Sequence, residues 1–171
     1  MKYKFKTEPY EHQLEALKRS WNKKEYAYFM EMGTGKSKVL IDNIAILYDK
    51  GGINAAIIIA PKGVYRNWSG KEIPFHMPDH VERHVGVWNP APTRKQKVEL
   101  TKLFEVSPEL KILVINVEAF STKKGVAFVE KFILAHNALI AVDESTTIKN
   151  PKAQRTKNLL KLAINTKYRR I

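Results

Sequence analysis

The sequence predicts an α/β domain, a mostly parallel central sheet with helices on both faces. Three observations predict it. Strand-like and helix-like segments alternate from one end of the 171 residues to the other. The strand-like segments "NAAIIIAP" (54–61), "LKILVINVE" (110–118) and "ALIAVDES" (138–145) are continuous apolar runs, the pattern of strands buried on both faces. Two segments of phosphate and acid chemistry, Gly33–Ser37 and Asp143-Glu144, each directly follow a strand-like run. In such sheets ligands bind beyond the carboxyl ends of the strands.

The elements follow in order. "EPYEHQLEALKRSWNK" (8–23) carries Leu14, Leu17 and Trp21 at helical spacing. "EYAYFM" (25–30) reads as a short strand running into the glycine loop. "SKVLIDNIAILYDKG" (37–51) reads as a helix stopped by Gly51-Gly52. After the strand at 54–61, "GVYRNWSGKEI" (63–73) is helical, "HVGVWN" (84–89) strand-like and "TRKQKVELTKLFEV" (93–106) helical. The strand at 110–118 is followed by a helix in "KGVAFVEKFILAHN" (124–137). Beyond the strand at 138–145, a helix occupies "KAQRTKNLLKLAI" (152–164), and "KYRRI" (167–171) begins a further element. No internal repeat or low-complexity linker is visible, so 1–171 reads as one domain.

Composition narrows the functional classes. Hydrophobic residues make up 44%, enough for a substantial core. No run of eighteen apolar residues suggests a membrane span. "MKYKFKTEPYEHQ" has no apolar signal region. With no cysteine, disulfides and thiolate metal sites are excluded, which fits a reducing, intracellular or cytoplasmic setting. The net charge of +13 favours a polyanionic partner, nucleic acid first, although the basic residues are spread along the chain and do not locate it. None of the five histidines has metal spacing with a second ligand, so all read as surface or packing residues. "KYKFK" at the start reads as a solvated terminus.

Chemistry explains the pairing of the two strand ends. Backbone N–H groups at a helix N-terminus hold phosphates, and Gly33 and Gly35 let the chain wrap them, with Thr34 between. Lys36 would reach the β- and γ-phosphates of ATP and the Ser37 hydroxyl would bind Mg²⁺. Asp143, at the end of an apolar strand, would serve the same ion, and Glu144 would orient and deprotonate the attacking water. The strict loop pattern asks for glycine where Met30 stands, but the phosphate-touching residues Gly33 through Ser37 are all present. An acid pair suits a hydrolase that couples ATP cleavage to motion better than a small-molecule kinase.

Taken together the motifs resemble the first RecA-like lobe of superfamily 2 helicase-like ATPases, and most closely the Snf-type DNA translocases. "PYEHQ" (9–13) resembles the Q motif, in which Gln13 would read adenine; Phe5 and Tyr10 are both candidates to stack on it. "EMGTGKS" (31–37) resembles motif I, "IIIAPKGVYRNWSGKEI" (57–73) motif Ia, "LVINVEAFS" (113–121) motif Ib, and "LIAVDESTTIKN" (139–150) motif II. "AQRTKNLLKL" followed by "KYRRI" resembles the run into motif III. Asn67-Trp68 and Lys149-Asn150 are the pairs that single out the Snf type.

The resemblance implies an ATP-binding lobe that, joined to a second RecA-like lobe, hydrolyses ATP with Mg²⁺ to move on double-stranded DNA. A strand-separating helicase and a non-catalytic nucleotide- and DNA-binding module are the alternatives. By position in their motifs Lys62, Arg66 and Ser121 are candidates for DNA phosphate contacts. Trp68 reads as a packing residue, with stacking on DNA bases as the alternative. Ser145-Thr146 replace the usual Ala-His or Gly-His after Asp-Glu, which implies altered coupling between hydrolysis and DNA. The family continues into motif III and a second lobe carrying arginine fingers, so 1–171 reads as one lobe ending just before motif III, nearly inactive by itself. In RecA-like sheets the motif III strand lies between those of motifs I and II, so 167–171 is expected to be a central strand. The compact spacing fits a phage or bacterial source.

Overall fold

The computed structural model describes residues 3–31 and 33–171, without the side chains of residues 145 and 147. Six parallel strands form one sheet: β1 (Glu25–Tyr26), β2 (Ala55–Ala60), β3 (Arg83–Val87), β4 (Leu110–Asn116), β5 (Ala138–Val142) and β6 (Tyr168–Arg170). Their order across the sheet is β1-β6-β5-β2-β4-β3. Helices α1 (Glu11–Ser20), α2 (Lys36–Asp49), α3 (Tyr65–Asn67), α4 (Ile73–His76), α5 (Arg94–Lys102), α6 (Lys123–Ala135) and α7 (Gln154–Ala163) make the connections. A π turn over Trp68–Glu72 joins α3 to α4. The sheet is entirely parallel, in keeping with β2, β4 and β5 being buried at every position.

Alternation along those runs builds two cores. Ile57, Ile59, Leu113, Ile115 and Ile140 point to one face, where Leu100 of α5, Val129 and Phe132 of α6, and Leu159 and Leu162 of α7 cover them. Ala56, Ile58, Ile112, Val114 and Leu139 point to the other, under Leu40, Ile41 and Ile44 of α2 and Trp68 and Ile73 beyond β2. Truncating a wholly buried residue such as Ile58 to alanine costs about 2–5 kcal/mol. The chain before α1 is stapled to the second face: the Tyr3 hydroxyl donates to Asp42 at 2.8 Å, and Lys38 pairs with the same buried carboxylate at 2.8 Å.

β6 lies between β1 and β5, the central position the resemblance implies for the motif III strand. Its Arg170 is 2% exposed. The guanidinium donates to Asn43 Oδ1 of α2 (2.8 Å), to the Ser20 carbonyl closing α1 (3.0 Å) and to the Lys24 carbonyl before β1 (3.4 Å). It therefore fixes the strand and the helix that flank the glycine loop.

Several boundaries fall inside the sequence-based expectations. The first strand covers only Glu25–Tyr26 of the expected 25–30 because its only partner, β6, is three residues long. β4 ends at Asn116 and β5 at Val142, and each is followed by a 3₁₀ turn, Val117–Ser121 and Ser145–Ile148. α5 stops at Lys102, short of the expected 106.

Candidate nucleotide-binding site

All six strands run the same way, so their carboxyl ends share one edge of the sheet, and the motif residues gather there. A cavity of about 620 Å³ is lined by Gly33, Gly35, Lys36 and Ser37 from the loop, by Asp143, Glu144 and Thr146 after β5, and by Trp68, Tyr28 and Phe29. A smaller cavity of about 340 Å³ shares Ala27–Met30 with it and reaches His12, Glu15 and Arg19 of α1. Met32, within the expected motif I, lies outside the described residues, as does the Ser145 side chain.

The loop needs its glycines for backbone reasons. Gly33 and Gly35 have φ of 79° and 83°, the left-handed region that other residues avoid. Gly35 is also hemmed in: a Cβ there would lie 2.3 Å from Gln13 Nε2. Among the described residues the only non-glycine with positive φ is Glu144, so Met30 does not occupy a glycine-demanding conformation. The main chain of Met30 serves the loop without a glycine: its carbonyl accepts from Lys36 Nζ at 2.8 Å, with the Glu31 carbonyl at 3.3 Å.

Gln13 is 4% exposed and grips the loop. Its Nε2 donates to the Thr34 carbonyl (2.9 Å), and its Oε1 accepts from the Tyr10 N–H (3.0 Å). The His12 ring nitrogen lies 3.0 Å from the same Thr34 oxygen. The two aromatic candidates near the Q motif now separate. Phe5 lies under Lys38 Nζ, 5.2 Å from its ring centre, whereas Tyr10 is exposed and stacks on His12. Phe29, 97% exposed at the cavity, is an aromatic that the sequence reading passed over because it was counted into the strand.

Asp143 is pinned twice. Its N–H donates to the Ile59 carbonyl of β2 at 2.7 Å, and its Oδ2 accepts from the indole Nε1–H of Trp68 at 3.0 Å. Trp68 is 3% exposed, which removes stacking on DNA bases from its options and leaves packing, with this hydrogen bond added. Glu144 turns the chain at φ 62°, ψ 68° and lines the cavity. Strain of this sort is about 1–3 kcal/mol and collects at functional sites.

The donor set fits Mg²⁺. One carboxylate and one hydroxyl, Asp143 and Ser37, line the same cavity as the phosphate loop. Mg²⁺ is commonly held this way, by one or two protein oxygens with phosphates and waters completing the shell. Among the described residues no group of three or more His, Cys, Asp or Glu could hold a metal ion alone.

The candidate DNA residues sit further along the same edge. Lys62, Arg66 and Ser121 are all exposed, Lys62 and Arg66 in the segment after β2, Arg66 within α3, and Ser121 at the end of the 3₁₀ turn after β4. Those segments are joined by Glu118. Burial works to raise its carboxyl, but hydrogen bonds from Asn116 and from the backbone N–H groups of Glu118 and Lys62, with Arg155 nearby, hold it below its ordinary value. Lys123 and Lys124 are exposed at the start of α6 beside Ser121. All five histidines contact protein partners: Thr34, Thr7, Asp49, Glu99 and Leu103.

A parallel α/β lobe with a glycine loop and an acid pair at one sheet edge is the architecture of helicase-like ATPases. Residues 12–171 match the family model of the SNF2-related domain, and the chain belongs to that family. No curated protein matches the sequence. The SWI2/SNF2 ATPase core of Sulfolobus solfataricus, solved in complex with double-stranded DNA, superposes with a TM-score of 0.72 at 19% identity, over 98% of this chain and 32% of that one. The UvsW helicase of bacteriophage T4 superposes with a TM-score of 0.66 at 11% identity, over 96% of this chain and 51% of that one. The chain thus spans a third to a half of the solved relatives. Among the described residues no helix is long and apolar enough to cross a membrane.

Proposed function

We propose that this chain is the ATP-binding lobe of an intracellular DNA-dependent ATPase that moves along duplex DNA. The observation that carries the reading is the convergence of Gly33–Ser37 and Asp143-Glu144, more than a hundred residues apart in sequence, on one cavity of about 620 Å³. The N–H groups from Gly33 to Ser37 would bind the phosphates at the start of α2. Lys36 would exchange the carbonyls of Met30 and Glu31 for phosphate oxygens. Ser37 and Asp143 would hold Mg²⁺, which when bound neutralises charge on the β- and γ-phosphates. Glu144 would orient the attacking water and accept its proton. Gln13, expected to read adenine, has its carboxamide on the Thr34 carbonyl and the Tyr10 N–H, and would hold the loop in register as well.

Duplex DNA would lie along the exposed loops after β2 and β4, held through its phosphates by Lys62, Arg66 and Ser121. The net charge of +13 and the complex of the Sulfolobus solfataricus neighbour with double-stranded DNA support this reading. Charge on the transferred phosphoryl group also needs an arginine finger, which a second RecA-like lobe would supply and which is worth roughly 10³–10⁵ in rate.

Titration calorimetry and phosphate release together test the proposal. Wild-type protein should bind ATP with Mg²⁺, and Lys36→Ala should weaken binding at least about tenfold, as expected for losing a charge-assisted phosphate contact. Residues 1–171 should release phosphate near the background rate with or without DNA. Equal ATP affinity in the two proteins would remove Lys36 from the site. Robust DNA-stimulated turnover by 1–171, abolished by Glu144→Gln, would sink the second-lobe account.

A further inference from the structure

We infer that Trp68 is a positioning residue for the cation site: its indole N–H fixes the Asp143 carboxylate so that the other oxygen faces the phosphate loop. The inference rests on the nucleotide-site reading above, and it gives a function to a side chain that sequence and packing alone assign to the core.

Three features carry it. First, Trp68 is 3% exposed, and a buried indole N–H needs a partner. That partner is a carboxylate oxygen, Oδ2 of Asp143 at 3.0 Å, and both residues line the cavity that holds Lys36 and Ser37. Second, an aspartate has one side-chain torsion that swings its carboxylate and one that spins it. With its main chain bonded to Ile59 of β2 and one oxygen bonded to Trp68, both are fixed before any cation arrives. Outer partners of this kind orient metal ligands and typically change metal affinity by 10–100-fold when removed. Third, Trp68 opens the π turn between α3 and α4. That wider turn is an uncommon local geometry that recurs at functional sites, and here it begins at the residue whose ring meets Asp143. Phenylalanine would keep an aromatic ring in the core but carries no donor, so Trp68→Phe removes the hydrogen bond at the cost of a small cavity.

The test separates the donor from the ring. Mn²⁺ binding in the presence of ADP is followed by the electron paramagnetic resonance of the free ion, in wild type, Trp68→Phe and Asp143→Asn. Trp68→Phe should bind Mn²⁺ at least about tenfold more weakly, while its affinity for ADP without metal stays within about twofold of wild type. Unchanged Mn²⁺ affinity in Trp68→Phe beside a clear loss in Asp143→Asn would overturn the inference and leave the nucleotide site standing. Unchanged affinity in both variants would overturn the nucleotide site and the inference together. An equal loss of metal-free ADP binding in Trp68→Phe would mean a merely structural role and would also overturn it. Should Trp68→Phe fail to fold, the indole ¹⁵N–H resonances of the three tryptophans in the other two proteins decide. The assigned Trp68 peak should move in Asp143→Asn more than those of Trp21 and Trp88, and should broaden first on adding Mn²⁺ with ADP to wild type. A Trp68 peak that stays in place and broadens no earlier than the others rejects the contact.

Discussion

Two stretches of the carboxyl edge are held by different kinds of donor. The glycine loop, between β1 and α2, seats a charged side chain on its own carbonyls, those of Met30 and Glu31 accepting from Lys36, and is gripped from α1 by Gln13 at the Thr34 carbonyl. The segments after β2 and β4 are tied to other elements by uncharged donors. Tyr65 donates its hydroxyl to the Trp88 carbonyl (3.1 Å), Trp68 donates to Asp143, and Asn158 of α7 donates to the Phe120 carbonyl (2.7 Å). The contrast suits the proposed function. A loop that is to take up phosphate would need bonds that phosphate oxygens can replace, and carbonyls meeting an ammonium are such bonds. A surface that is to meet a duplex backbone would need fixed spacing, and side-chain hydrogen bonds, each worth about 1 kcal/mol, would supply it.

The largest effect that would sharpen this comparison is expected at Gly35. Gly35→Ala puts a side chain at φ 83° and displaces Gln13 from the Thr34 carbonyl. The left-handed strain alone is about 1–2 kcal/mol, which for a domain of this size lowers Tm by roughly 2–8 °C. Loss of ATP binding should accompany it. A variant with wild-type Tm and wild-type ATP affinity would show that the loop does not depend on its main-chain geometry.

A smaller and separable effect is expected on the other stretch. Lys62→Ala should weaken duplex DNA binding alike for all sequences and lower the salt dependence by about one counterion. ATP affinity should stay as it is. A change in sequence preference, or an unchanged salt slope in fluorescence anisotropy titrations, would take Lys62 off the phosphate path.

The smallest effect concerns the body that both stretches share. Burial lowers the pKa of His76, which also lies near the Lys38 ammonium, and burial likewise lowers that of His136, bonded to the Leu103 carbonyl. A histidine whose pKa is depressed by folding contributes stability above its unfolded value of 6.5, and that contribution is lost as pH falls below it. Tm should therefore decline from pH 7.5 to about pH 5.5, by a few degrees. Asp42, pushed up by burial, works in the opposite direction, so the informative quantity is the difference from a His76→Gln/His136→Gln double variant. An equal decline in both proteins would exclude the histidines.

How much of this was legible in the sequence depends on how local each feature is. The strands β2, β4 and β5 could be read because burial on both faces writes a continuous apolar run. Asp143 could be placed at a strand end because it directly follows such a run, whereas Gly33–Ser37 were found by their glycine pattern, β1 ending at Tyr26. Strand ends were overrun at 25–30, 110–118 and 138–145 because β-propensity continues past the point where a partner strand stops. The bond between Trp68 and Asp143 was hidden because it joins residues 75 apart and depends on the turn between α3 and α4. That the loop does without a glycine at Met30 was hidden too, since it rests on a φ that no side chain announces.

The three-residue strand β6 has one more consequence. It is the sole partner of β1, and Arg169 reaches Glu25 across 144 positions of sequence. During vectorial synthesis on a ribosome, every other strand in the sheet can find a neighbour before Tyr168 is made, but β1 cannot. The strand that launches the phosphate loop therefore waits on the longest loop closure in the domain, an entropic toll that must be met before its few hydrogen bonds return anything.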